Sequence, residues 1–107
     1  MIFRHLVMVG GLVAALMGSA PTAVLASDHC VTLSQLAAKI MEGRQNGVTL
    51  IDMMQLLKSD DEFANELMQT MVLTAYDLPG FSTDSMKKQA VTDFANNVAL
   101  MCYKAEG

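Results

Sequence analysis

The residues able to carry chemistry in this sequence are few, and the two cysteines come first. Cys30 and Cys102 lie near opposite ends of the chain, without the Cys-x-x-Cys spacing of a redox pair. In a small exported protein, two such cysteines most simply form one structural disulfide. A redox pair and an intermolecular bridge are the alternatives. The spacing favours the structural disulfide.

Conventional catalytic sets are hard to assemble. His29 is the only histidine after residue 26 and the two cysteines are expected to be oxidised, so no convincing Ser–His–acid or Cys–His set can be assembled. The run Asp60, Asp61 and Glu62 resembles a paired-carboxylate site, but acids also favour the positive first turn of a helix. The sequence contains no Gly-rich phosphate loop and no HExxH motif. We therefore expect a non-enzymatic protein without a cofactor.

Two features suggest metal chemistry. Cleavage after Ala26 would place Ser27, Asp28 and His29 at a new N-terminus, where an amine, two amides and an imidazole can hold Cu(II) or Ni(II) in a square plane. Thioethers are soft ligands for Cu(I), but they also fill cores and line adaptable binding grooves. Seven of the ten methionines follow residue 26; they are Met41, Met53, Met54, Met68, Met71, Met86 and Met101. Their helical spacing favours core filling.

The first 26 residues have the pattern of a signal peptide. Arg4 precedes an apolar stretch of about 12 residues, shorter than the ~20 that span a bilayer. Small residues then lead to Val24 and Ala26, which suit signal peptidase. The alternative is an uncleaved anchor. We predict a signal peptide over 1–26, a single domain over 27–107, and an exported protein, periplasmic or secreted.

The charge of the chain limits its partners. The formal net charge is −4, and Arg4 is the only charged residue in the first 26, so the remainder is more acidic still. Nucleic acids and anionic membranes require a basic surface. We expect neither as a partner, and no membrane contact once the signal peptide is removed.

The spacing of apolar residues predicts helices that carry the residues discussed above. The first two predicted helices lie before residue 60. Thr32 with Gln35 resembles a capping box, and Gly47 suits the left-handed position after a helix. Thr49 starts a short second helix that ends near Lys58. Their apolar faces are Leu33, Leu36, Ala37, Ile40, Met41, then Leu50, Met53, Met54, Leu57.

Two further helices complete the prediction. Ser59 with Glu62 caps the third, Pro79 and Gly80 form a turn, and the fourth runs from Ser82 or Thr83 to about Tyr103. Their apolar residues are Phe63, Ala64, Leu67, Met68, Met71, Val72, Ala75, then Met86, Ala90, Val91, Phe94, Val98, Met101, Cys102. The fold class is all-α: a small bundle of three or four helices closed by one disulfide, preceded by the signal peptide.

Arg44 and Tyr76 are candidate interaction residues. Both lie near helix ends, and both residue types are common at interface hot spots. A structural role is the alternative, because Arg44 complements a helix C-terminus and Tyr76 can bury its ring while its hydroxyl finds a partner.

A resemblance follows from residues spread over the whole domain. They are Cys30, Arg44-Gln45-Asn46-Gly47, Ala75-Tyr76, Pro79, Phe94 and Cys102. In these the chain resembles small exported helical two-cysteine proteins of bacteriophages, prophages and proteobacteria. That family has no established activity, so the resemblance implies a fold and a location but no site. Periplasmic acid-stress chaperones are similar only in architecture, with closer cysteines and early aromatic residues that this sequence lacks.

Three functions follow as expectations. The first is a non-enzymatic domain that binds another protein, as a phage-encoded envelope modulator or as an inhibitor or immunity factor. The second is a chaperone that exposes apolar surface when acid neutralises its carboxylates. The third is a copper-binding protein. The partner and the oligomeric state are open.

Overall fold

The computed structural model describes residues 29–106, which form four helices and no strand. Helix α1 covers 29–45, α2 Leu50–Leu56, α3 Glu62–Asp77 and α4 Asp84–Glu106. The predicted all-α class is confirmed. The predicted signal peptide, its cleavage after Ala26, and Ser27 and Asp28 of the metal tripeptide lie outside the described residues. Within residues 29–106, no helix combines the length and the apolarity needed to cross a membrane.

Helix α1 differs from the prediction at its start and agrees with it at its end. Thr32 lies inside the helix, so its predicted capping role is wrong. The turn around Cys30 is helical because that side chain is fully buried and bonded to α4. At the other end Gly47 has φ +90°, the predicted left-handed conformation, which L side chains adopt only with strain.

The starts of α2 and α3 are set by side-chain caps. Thr49 accepts a hydrogen bond from the Asp52 amide at 3.2 Å, as predicted. The cap of α3 is Asp61, which accepts from the Ala64 amide at 2.9 Å, so the prediction of Ser59 is wrong. The Ser59 hydroxyl instead accepts from the Asp61 amide, forming a local turn before the helix begins.

Helix α4 begins where the sequence predicts. The Thr83 hydroxyl accepts from the Met86 amide at 3.3 Å, which makes Thr83 the cap. The helix continues to Glu106, three residues past the predicted end at Tyr103. Lys104 in the last turn complements the helix dipole at that end.

The core combines residues from all four helices. Its buried members are Ala37, Ile40, Met41, Met53, Met71, Val72, Ala75 and Phe94. All were predicted to lie on apolar faces. Four others so predicted are exposed: Phe63 to 74 %, Met101 to 69 %, Met86 to 47 % and Leu50 to 38 %. They lie near helix ends, where neighbouring helices do not cover them.

Helices α1 and α4 run antiparallel and are joined covalently. The Cys30 and Cys102 sulfurs are bonded at 2.07 Å, with their Cα atoms 5.5 Å apart. Further along the pair, the Ser34 hydroxyl donates to the Ala95 carbonyl at 3.2 Å. The predicted disulfide is confirmed, and it ties the start of the described chain to its end.

Candidate functional site

A buried amide organises the end of the molecule opposite the disulfide. Gln45, 6 % exposed, ends α1 beside the loop between α3 and α4. Its amide nitrogen donates to the Pro79 carbonyl at 2.9 Å and to the Met41 sulfur at 3.3 Å. Its amide oxygen accepts from the Phe81 backbone N–H at 2.8 Å. One side chain thus fixes both sides of the turn at Gly80.

Arg44 and Tyr76, the candidate interaction residues, are brought together beside this amide. The Arg44 guanidinium donates twice to the Leu78 carbonyl, at 3.2 and 3.1 Å. Its central carbon lies 5.1 Å from the centroid of the Tyr76 ring, a cation–π distance. The Tyr76 hydroxyl donates to the Val48 carbonyl. Both side chains therefore hold loops of their own chain.

Tyr76 is the titratable group that this cluster perturbs. Desolvation is the main cause, and it raises the pKa of the phenol above 10.0 because burial disfavours the charged form. The Arg44 guanidinium acts in the opposite sense and the Asp52 carboxylate reinforces the rise. At neutral pH the hydroxyl is a proton donor, as its bond to Val48 requires.

Helix α2 carries the most exposed apolar surface of the four helices for its length. Leu50, Ile51 and Leu56 are 38 %, 66 % and 73 % exposed, in a helix of 7 residues. We call these three residues the α2 surface. Beside it lies an open cleft of about 500 Å³, lined by Val48, Asp52, Gln55 and Leu56. The exposed Phe63 follows in the first turn of α3.

A second cleft lies between the end of α1 and the start of α4. Its volume is about 660 Å³, and its lining residues are Glu42, Gln45, Asn46, Asp84, Lys87, Lys88, Val91 and Thr92. Two carboxylates and two ammonium groups are mixed along it, so no single sign of charge dominates. The cleft carries no clear preference for an anion or a cation.

The methionines divide by position. Met41, Met53 and Met71 are buried in the core, which confirms core filling as their role, and Met54 and Met68 pack against it. Met86 and Met101 are the exposed ones among the described residues. The Met41 sulfur accepts a hydrogen bond from Gln45, a local use of its weak lone pairs.

His29 is described, and it adjoins the disulfide. One ligand atom each of His29, Cys102 and Glu106 lie within 4.8 Å of one another. His29 and Glu106 are exposed, whereas Cys102 is half-buried. The carboxylate run at 60–62 is used differently, since Asp61 caps α3.

Comparison with known proteins gives no matching family, no matching curated protein and no matching solved structure.

Gln45 is the residue whose role the sequence reasoning missed. It lies four positions after Met41 and so continues the buried stripe of α1. A polar side chain at a core position needs hydrogen-bond partners. That pattern could have identified it.

Proposed function

We propose that this chain is an exported, non-enzymatic protein that binds another protein through the α2 surface. The observation that carries the proposal is that Leu50, Ile51 and Leu56 are all exposed on one helix of 7 residues, and that Leu56 lines an open cleft beside it. Large apolar side chains that a short helix leaves uncovered by its own chain indicate a surface for a binding partner. The disulfide, which forms in oxidising compartments, supports export.

The charges around the α2 surface define the chemistry of the partner. Asp52 lines the cleft, and Asp60, Asp61 and Glu62 lie in the segment that leads to Phe63. Lys58 is the single basic residue in the same stretch. A complementary partner presents apolar side chains with basic residues around them, because matched potentials guide encounter and register.

Tyr76 serves this surface by positioning it, and the Arg44 guanidinium packs over the Tyr76 ring. The Tyr76 hydroxyl donates to the carbonyl of Val48, a residue of the cleft, and reaches that of Thr49 at 3.4 Å. Thr49 is the cap of α2. The start of the helix is therefore fixed against α3, and a preformed surface loses less entropy on binding.

The resemblance to two-cysteine proteins of phages, prophages and proteobacteria adds a biological setting to the proposal. In that setting the protein is an envelope modulator, an inhibitor or an immunity factor. Each of these acts by occupying a defined surface of one partner, which is what a small fixed apolar surface suits.

The test compares capture by the exported protein with capture by two variants. We expect the wild type to retain one stoichiometric protein from a periplasmic extract at neutral pH, and the double variant I51D/L56D to lose it by at least tenfold. The matched control is Leu73→Asp, on an exposed α3 position outside the α2 surface, which retains the partner. Retention by I51D/L56D, or an empty wild-type bait, would count against the proposal.

The acid-stress chaperone is the second candidate, supported by the exposed Phe63 directly after the acidic run 60–62. Acid neutralises the carboxylates of the chain, eleven in all, and so changes the charge repulsion around such apolar surface. This candidate predicts suppression of aggregation of several unrelated proteins at acid pH. Suppression that is equal in wild type and I51D/L56D would separate it from the first proposal.

A further inference from the structure

The end of α4 and the first described turn of α1 place four residues of metal-binding types together. Cys102 and Glu106 are four positions apart on α4 and so face the same side. Cys30 is bonded to Cys102, and His29 directly precedes Cys30 in the chain. The imidazole of His29, the sulfur of Cys102 and a carboxylate oxygen of Glu106 lie within 4.8 Å of one another.

While the disulfide is intact, this group offers only two good ligands, the imidazole and the carboxylate. Disulfide sulfurs are not thiolates, and the thiolate is the form of cysteine that binds metals. Reduction gives a set of four possible metal ligands: two thiols, one imidazole and one carboxylate. Zinc is bound by Cys₂His sets with an oxygen ligand in the fourth position, and Glu carboxylates are among its oxygen ligands.

We propose that reduction of the Cys30–Cys102 disulfide converts this end of the molecule into a zinc site, with Cys30, Cys102, His29 and Glu106 as ligands. A dithiol reductant transfers two electrons and two protons to the disulfide and becomes a disulfide itself. Two protein thiols result. Zn²⁺ then replaces their two protons, which pass to solvent.

The geometry needs little rearrangement. Two sulfurs bound to one zinc ion stand about 3.8 Å apart, given Zn–S bonds of about 2.3 Å at a tetrahedral angle. Loss of the covalent bond separates the sulfurs from 2.07 Å to roughly that contact distance in any case, while the Cα atoms remain 5.5 Å apart. The end of α4 also favours a cation, because its last carbonyls carry partial negative charge.

The burial of the two cysteines shields one side of the proposed site from solvent. Cys30 is fully buried and Cys102 half-buried, whereas His29 and Glu106 are exposed. The two sulfurs would lie between the helices and the other two ligands would close the site from solvent. Soft thiolate and imidazole ligands favour Zn²⁺ over Mg²⁺ or Ca²⁺.

The experiment uses Co²⁺ as a spectroscopic probe of the full exported protein, reduced under anaerobic conditions. We expect one Co²⁺ per chain with a thiolate-to-cobalt charge-transfer band, displaced by equimolar Zn²⁺. The oxidised protein gives no such band. The band also separates this site from a chelate of Ser27, Asp28 and His29, which contains no sulfur.

Two variants test the remaining ligands. Glu106→Gln and His29→Ala should each weaken binding about tenfold or more. The control Glu66→Gln, on exposed α3, should bind as wild type does. Absence of the band in reduced wild type, folded or unfolded, would overturn the proposal, and so would wild-type affinity in both ligand variants. If the reduced chain loses helix content, its recovery on adding metal is the supporting result.

Discussion

The side-chain amide of Gln45 takes part in three hydrogen bonds, and two of them hold the loop that leads into α4. Arg44 adds two more to the carbonyl of Leu78. Neighbouring residues on one helix end thus determine where the next long helix begins. Polar side chains of α1 thus hold this connection through backbone groups of the loop.

Replacing Gln45 by Leu tests the contribution of the amide. We expect Gln45→Leu to lower the free energy of unfolding by about 1–2 kcal/mol, because the Phe81 N–H and the Pro79 carbonyl both lose their hydrogen-bond partner. The cost is limited because Pro79 is exposed, so water can replace the lost partner of its carbonyl. Urea unfolding measures it. The matched control is Gln35→Leu, exposed on the same helix, with an effect within about 0.5 kcal/mol. Equal effects of the two substitutions would contradict this role.

Tyr76 should make the folded state sensitive to high pH. Its folded-state pKa lies above 10.0, so the folded chain holds the phenol proton more tightly than the unfolded chain does. The resulting stability is fully present below the unfolded pKa and is lost as pH rises through the folded pKa. Spectrophotometric titration of Tyr103→Phe, which leaves Tyr76 as the only tyrosine, should give a midpoint above 10.0 that returns to 10.0 in denaturant. An unchanged midpoint would refute the shift.

The start of a helix in this protein depends on which of several nearby polar side chains accepts a hydrogen bond from a free amide of the first turn. Before α3, Ser59 and Asp61 both have capping side chains. Ser59 lies in a turn that includes a hydrogen bond from its own N–H to Asn65 Oδ1 at 3.1 Å. The cap therefore falls to Asp61, two residues later.

The cap assignment gives a direct comparison between two alanine substitutions. Asp61→Ala should cost about 1 kcal/mol of stability, because the Ala64 amide loses its acceptor and the first turn of α3 loses a favourable charge. Ser59→Ala should cost less than about 0.5 kcal/mol, since its hydroxyl serves an exposed turn. Chemical denaturation of both variants at neutral pH measures the difference. The reverse order would restore Ser59 as the cap.

Periodicity and caps predicted four helices, the turn at Gly47 and the starts of α2 and α4, because these depend on local spacing. They did not predict that four residues of the apolar faces are exposed, namely Leu50, Phe63, Met86 and Met101. An apolar face identifies which side of a helix can be buried, but coverage depends on how far neighbouring helices extend. Likewise, Arg44 and Tyr76 stood out by residue type, but their partners are backbone carbonyls distant in sequence, which no local pattern specifies.

At the scale of the whole molecule, one covalent bond closes a long loop. Cys30 and Cys102 are 72 positions apart, so the loop that the bond closes contains nearly all of the described residues. In the chain-entropy account such a bond disfavours the unfolded state by about 4 kcal/mol. That is a large share of the net stability of a small domain, typically about 5–15 kcal/mol.

Removal of the bond should therefore lower the free energy of unfolding by several kcal/mol, about 4 in the entropic limit. The measurement is urea unfolding of the wild type with and without reductant, in the presence of a metal chelator. The double variant C30A/C102A provides a second estimate and should be insensitive to reductant. A loss below about 1 kcal/mol would mean that the loop closure contributes little.

The two ends of the α1–α4 pair are held by different chemistry, a reducible bond at Cys30 and amide–carbonyl contacts around Gln45. A reductant consequently acts on one end alone, whereas urea acts on both. In a reducing, metal-free solution the helices should therefore lose structure first at the disulfide end. Backbone amides near 29–34 and 98–106 exchange their hydrogens for deuterium first, whereas the hydrogen-bonded amides of Val48, Leu78 and Phe81 at the other end exchange later.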